Sequence, residues 1–263
     1  MNRVNYTKMD WNVFVSENFE IYYYRGGQRH AKFASKFAEE HFDKITDQVG
    51  FAPYTRIRLF IYNSQSELKQ SNIDYTIPYY EAGGETNLIN RSIEIAFPGT
   101  NEEFEYELKF GIAKTLINEM MYGGSFKDVV QSSYLLSLPK WFIDGAAEYI
   151  ARGWSIEMDD YIRDLVISEE IDKPSEVDDR DAKYIGQSLW NYIAIRFGKN
   201  NMSSILNLTR VLRNTESSIS NTIGIPYQAL VQEWSSYYSG QAYEVLAKSD
   251  MPDRSYSVRK RNR

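Results

Sequence analysis

Cysteine is absent from the 263 residues, and histidine occurs only twice. The first absence removes thiol nucleophiles, cysteine-ligated zinc and disulfide scaffolds. It assigns no redox compartment, because exported chains also do without cysteine. The second narrows hydrolytic and metal chemistry: His30 and His41 lie eleven residues apart on one expected helix, about 16 Å of rise, so one ion cannot bind both. Long apolar runs are also missing. Segments such as Ile57–Tyr62 and Ile143–Ala151 fall well short of the roughly 20 residues a membrane span needs, and no basic-then-apolar leader opens the sequence. A soluble protein is therefore expected, with the sequence a mature or trimmed portion of it. Phosphate loops of the GxxxxGK(S/T) and GxGxxG types are lacking, and Gly186-Gln187-Ser188-Leu189-Trp190 has no closing glycine for a GxSxG elbow.

What is present is ordinary globular composition, 43% apolar and 25% charged, which excludes disordered and collagen-like chains and suffices for one large domain or two small ones. The formal charge is -6, and the last fourteen residues hold five basic groups against two acidic ones, so the body is more acidic still. That balance argues against nucleic acid as a partner. Twenty-one tyrosines predict a surface rich in amphipathic rings.

The chain divides by pattern. Phe19–Tyr24, Arg56–Tyr62 and Ser92–Phe97 are β-branched, aromatic and alternating, and predict three strands; Pro98-Gly99 stops the third. Between the first two, Ala31, Ala34, Ala38, Phe42, Ile45 and Val49 step by three or four and predict a helix over 28–49. A short helix is expected from Ser66, and a turn at Gly83-Gly84. After Asn101 the pattern is helical throughout, at about 102–122, 139–152, 155–169, 181–197, 200–213 and 226–247. Pro139 and Pro226 suit first helical turns, and Gly123, Gly153 and Gly198 suit C-terminal caps. The expected architecture is α+β: an α/β part over 1–100, a helical part over 101–249, and a basic tail or truncated linker over 250–263.

Two segments carry the functional signal: Ala113-Lys114-Thr115-Leu116-Ile117-Asn118-Glu119-Met120-Met121-Tyr122-Gly123, and Leu138-Pro139-Lys140-Trp141-Phe142-Ile143-Asp144-Gly145-Ala146-Ala147-Glu148-Tyr149. Together they resemble the core of the gluzincin metallopeptidases, in particular the peptidase MA-like family. There one helix carries HExxH and a later one a consensus like LPxWxxEGxAEY, whose acid before the glycine is the third zinc ligand. Positions i and i+4 share a helix face, so two imidazoles grip one ion and the adjacent glutamate serves as general base on the bound water. In this sequence the first histidine position is Asn118, the general-base position Glu119, the second histidine position Tyr122 and the third-ligand position Asp144. An asparagine amide and a neutral tyrosine are poor zinc ligands.

The resemblance extends over roughly residues 15–245. It includes Tyr184-Ile185-Gly186-Gln187-Ser188, Ile195-Arg196-Phe197-Gly198-Lys199 and a final segment with Trp234. It implies a zincin-like fold with a substrate-lining edge strand at Ser92, Ile93, Glu94, Ile95, Ala96 and Phe97. It also implies a degenerate site in which zinc is lost, Glu119 is a vestigial general base, and Tyr184 or Tyr192 stands where an oxyanion-stabilising tyrosine would. A pseudopeptidase of an exported, periplasmic or cell-surface protein follows, binding a protein or extended peptide without cutting it. The neighbour implied by such families is a TolB-type β-propeller domain or an envelope partner. Three further readings follow from the residues themselves. An active peptidase would hold a hard ion with Asn118, Glu119, Asp144 and Glu148. A purely structural domain would fill its cleft with Met120, Met121 and Tyr122. On spacing alone, Asn118, Glu119 and Tyr122 also fit an ordinary core helix, and Glu148 with Arg152 fits surface pairing.

Overall fold

Glycines bracket the first helix. In the computed structural model, which describes residues 9–70, 92–123, 138–168, 174 and 179–248, helix α1 spans Gln28–Val49 between Gly27 and a left-handed Gly50, and every residue of its expected stripe is buried. It follows a hairpin of β1 (Asn12–Val15) and β2 (Phe19–Tyr23) and leads into β3 (Ile57–Tyr62), which lies parallel to β2. After α2 (Gln65–Gln70), strand β4 (Ser92–Ala96) pairs in parallel with β3. The sheet order is β1-β2-β3-β4, with only β1 antiparallel to its neighbour. The expected turn at Gly83-Gly84 and the tail at 250–263 lie outside the described residues.

The helical part follows: α3 (Asn101–Tyr122), α4 (Lys140–Arg152), α5 (Ile156–Ile167), α6 (Asp179–Phe197), α7 (Asn201–Leu212), α8 (Thr215–Ile223) and α9 (Tyr227–Lys248). Among the described residues this part contains no strand, and no helix is long and apolar enough to cross a membrane. The fold is thus α+β, a small mixed sheet followed by helices. One hydrophobic core runs from Phe19 and Ile21 of β2 to Trp234 and Ala242 of α9, joining the two parts. The opposite sheet face carries a smaller cluster of Tyr24, Phe60, Tyr62 and Ala96, with Trp11 set edge-on to three of these rings.

Several expectations need correction. β1 is a fourth strand, short and exposed at Val13 and Val15. Helix α8 was not expected; it is started by Asn214, whose side chain accepts from the Ser217 N–H at 2.8 Å. Pro139 is the N-cap of α4 rather than a first-turn residue. Phe97 lies just past β4, although its N–H still donates to the Tyr62 carbonyl at 2.9 Å. Tyrosines are not confined to the surface: Tyr24, Tyr62, Tyr122, Tyr192, Tyr227 and Tyr238 are buried. The expected cap glycines Gly123, Gly153 and Gly198 do adopt positive φ.

Close backbone approach sets the helix positions. A Cβ at Gly111 would lie 2.6 Å from Ile93 Cγ2, so α3 crosses β4 at its only side-chain-free position. Helices α4 and α6 make the most extensive helix–helix contact, and they cross at Gly145 and Gly186. Around that crossing the Trp190 indole donates to the Phe142 carbonyl and the Trp234 indole to the Ser188 hydroxyl, each at 3.0 Å. Ser188→Ala leaves the buried Trp234 N–H without its acceptor and is expected to cost about 1–3 kcal/mol, measurable by urea denaturation.

Candidate functional site

Helix α3 begins as a surface helix and ends as an interior one. Thr100 caps it by accepting from the Glu103 N–H, and from Leu116 to Tyr122 every residue is buried. The Tyr122 end is fixed from outside the helix, where Arg213 donates to the Met121 carbonyl at 3.0 Å. Asn118, Glu119 and Tyr122 therefore sit in the interior, at 5%, 8% and 1% exposure. Neither amide atom of Asn118 has a hydrogen-bond partner among the described residues, a costly state for a buried donor and acceptor. Burial pushes the Tyr122 phenol up to about 12, opposed by the Leu138 backbone and by Arg213.

Asp144 comes from α4 and is buried. Its partner is Lys114, whose Nζ stands 2.9 Å from Oδ1. Lys114 lies four residues before Asn118, so it occupies the same face of α3 one turn earlier. An ammonium thus neutralises the Asp144 carboxylate, and Gly145 beside it is what lets α4 meet α6.

Glu148, one turn further along α4, is 2% exposed. The Tyr106 hydroxyl donates to its Oε2 at 2.7 Å, Lys183 reaches the same oxygen at 3.5 Å, and Arg152 reaches Oε1 at 3.7 Å. The expected i,i+4 pair with Arg152 exists, but its acid is in the interior rather than on the surface. Arg152 also stacks on the Tyr106 ring at 3.7 Å. The Tyr106 phenol is raised well above its ordinary value, first by burial and then by the adjacent Glu148 charge.

The remaining candidates are placed elsewhere. Tyr184 packs its ring on Tyr161 of α5, beside Lys183, and Tyr192 donates to Glu233 of α9 at 3.1 Å. His30 stacks on Phe97 at 4.0 Å, and burial lowers its pKa. His41 donates from Nδ1 to the Phe37 carbonyl at 2.9 Å. Ser92, Ile93, Glu94, Ile95 and Ala96 form the terminal strand of the described sheet; Ile93 and Ile95 face the main core, and Glu94 accepts from the Tyr62 hydroxyl at 3.2 Å.

These residues do not fit a zinc ion. Tyr122 is protonated at neutral pH, Asn118 offers a neutral amide, and Asp144 is already held by an ammonium. Among the described residues no three His, Asp or Glu side chains converge to hold a metal. Sequence reasoning missed Lys114, whose role shows only once α4 places Asp144 against it.

No family model, curated protein or solved structure matches the chain.

Proposed function

We propose that this chain is a gluzincin-like pseudopeptidase, a peptidase MA-like domain that has exchanged its metal for an internal ion pair and acts as a protein- or peptide-binding or scaffold module of an exported, periplasmic or surface protein. The Lys114–Asp144 pair carries the reading: the ammonium supplies beside Asp144 the positive charge that an ion would otherwise supply. Strand β4 supports the binding role, because main-chain pairing of an added strand needs no metal. The burial of Met120, Met121 and Tyr122 favours the scaffold form of the same reading.

Zinc calorimetry tests it. The natural chain is expected to bind no stoichiometric zinc. The variant Lys114→Ala/Asn118→His/Tyr122→His/Asp144→Glu is expected to bind one ion per chain, because it removes the competing cation and the backbone would already hold the three ligand positions in register. A quadruple variant that folds and gains no zinc would sink the family reading. Zinc bound tightly by the natural chain would instead point to an active enzyme with atypical ligands.

A further inference from the structure

A concavity opens beside the Glu148 cluster, which it meets at Arg152. It has a volume of about 540 Å³ and is formed where α1, the middle of α3 at Lys109, the end of α4 and the start of α7 meet. The size lies within the range of small-molecule pockets. Its floor includes the buried side chains Ile45, Ile150 and Met202, and its charged lining is Lys44, Lys109, Arg152 and Lys199 against a single acid, Asp47. Four cations to one acid is the reverse of the chain's balance of 30 basic to 36 acidic groups.

These cations differ in how far they are already satisfied. Arg152 is engaged by Glu148 and by the Tyr106 ring. Lys44, Lys109 and Lys199 have no carboxylate within ion-pairing distance among the described residues. Lys109 is half-buried, with its ammonium 5.9 Å from the centre of the Phe37 ring. Burial lowers its pKa; Glu105 opposes the shift, while Lys44 and Arg152 add to it. An anion entering the cavity would relieve the repulsion that Lys44 and Arg152 exert on half-buried Lys109. The first turn of α7, at Asn200 and Ser203, also borders the cavity and adds the positive end of a helix dipole.

The geometry points to this cavity as a binding site for a small multivalent oxyanion, of the phosphoryl or polycarboxyl kind, with Lys44, Lys109 and Lys199 as its ligands. Four elements converge to build it, so an occupant would tie the α/β part to the helical part. The site is independent of the pseudopeptidase reading.

The test is calorimetric titration of the full chain with inorganic pyrophosphate at low ionic strength, with acetate as the monovalent control. One pyrophosphate per chain is expected, weakening as salt is raised. Lys109→Gln and the double variant Lys44→Gln/Lys199→Gln are each expected to weaken it about tenfold or more; the double variant alters only exposed side chains and so keeps the fold. Lys248→Gln, remote on α9 and paired with Glu244, is expected to change nothing. No saturable binding, or unchanged affinity in the double variant, would overturn the assignment.

Discussion

Gly186→Ala is expected to lower the unfolding free energy by about 3 kcal/mol or more, a large share of the stability of an ordinary domain. A Cβ at this position would lie 2.0 Å from the Trp141 carbonyl oxygen, 2.8 Å from its carbon and 3.0 Å from Gly145 Cα. The obstacle is the backbone of α4, so no rotamer change relieves it. The helices must separate, and the Trp190–Phe142 bond beside the crossing goes with them. Gly145→Ala meets the same wall from the other side, 2.4 Å from the Gly186 carbonyl carbon. Gly240 in α9 supplies the contrast, since a Cβ there meets nothing within 4 Å. Gly240→Ala is expected to stabilise by about 0.5–1 kcal/mol through helix propensity alone. Urea unfolding of the two variants side by side is the measurement, and shifts of the same sign would contradict a close α4–α6 crossing.

Lys114→Met is the second large effect. It removes the cation 2.9 Å from a carboxylate that is 6% exposed and leaves that charge in the interior. Breaking a buried pair from one side costs about 3–5 kcal/mol; Lys114 keeps some contact with water, so about 2–3 kcal/mol is expected. Asp144→Leu is expected to cost less, because the lysine stem can swing its head toward solvent. The double variant should recover most of the loss, as a well-packed apolar pair often does in place of an ion pair. A double-mutant cycle by chemical denaturation reads the coupling directly. Additive single effects would mean that Lys114 and Asp144 do not sense one another, and the argument for a substituted charge would fall with them.

Helix α1 was legible because its stripe of Ala31 to Val49 repeats over about five turns and glycine stands at both ends. The core strands β2 and β3 were legible because Phe19 and Ile21, and Ile57, Leu59 and Ile61, alternate onto the buried face. What escaped had weak periodicity. β1 is four residues with Val13 and Val15 exposed, so its pattern carries little burial information. In α8 only Thr215, Ser218 and Ile219 are buried, and two of these are polar. The tyrosine expectation was incomplete: some rings enter the core with a partnered hydroxyl, as Tyr62 with Glu94, Tyr24 with Glu67 and Tyr238 with the Ser188 carbonyl, while Tyr227 is buried without one among the described residues. Of the candidate site, only the placement of its residues on α3 and α4 was legible, from their helical spacing. Its charge balance was not. Lys114 looks like any helix lysine until α4 brings Asp144 to it, and Glu148 looks like a surface acid until Tyr106, Arg152 and Lys183 close around it.

Lys114 also bears on what selection could do with this fold if the pseudopeptidase reading holds. A single histidine arriving at position 118 or 122 would find the third ligand already claimed by an ammonium held one turn away, so it would recruit no metal and confer no advantage. Losing Lys114 first would strand Asp144 and cost stability before any activity returned. Each single step back toward a metal site is thus neutral or harmful, and the ion pair turns the loss of catalysis into a one-way change.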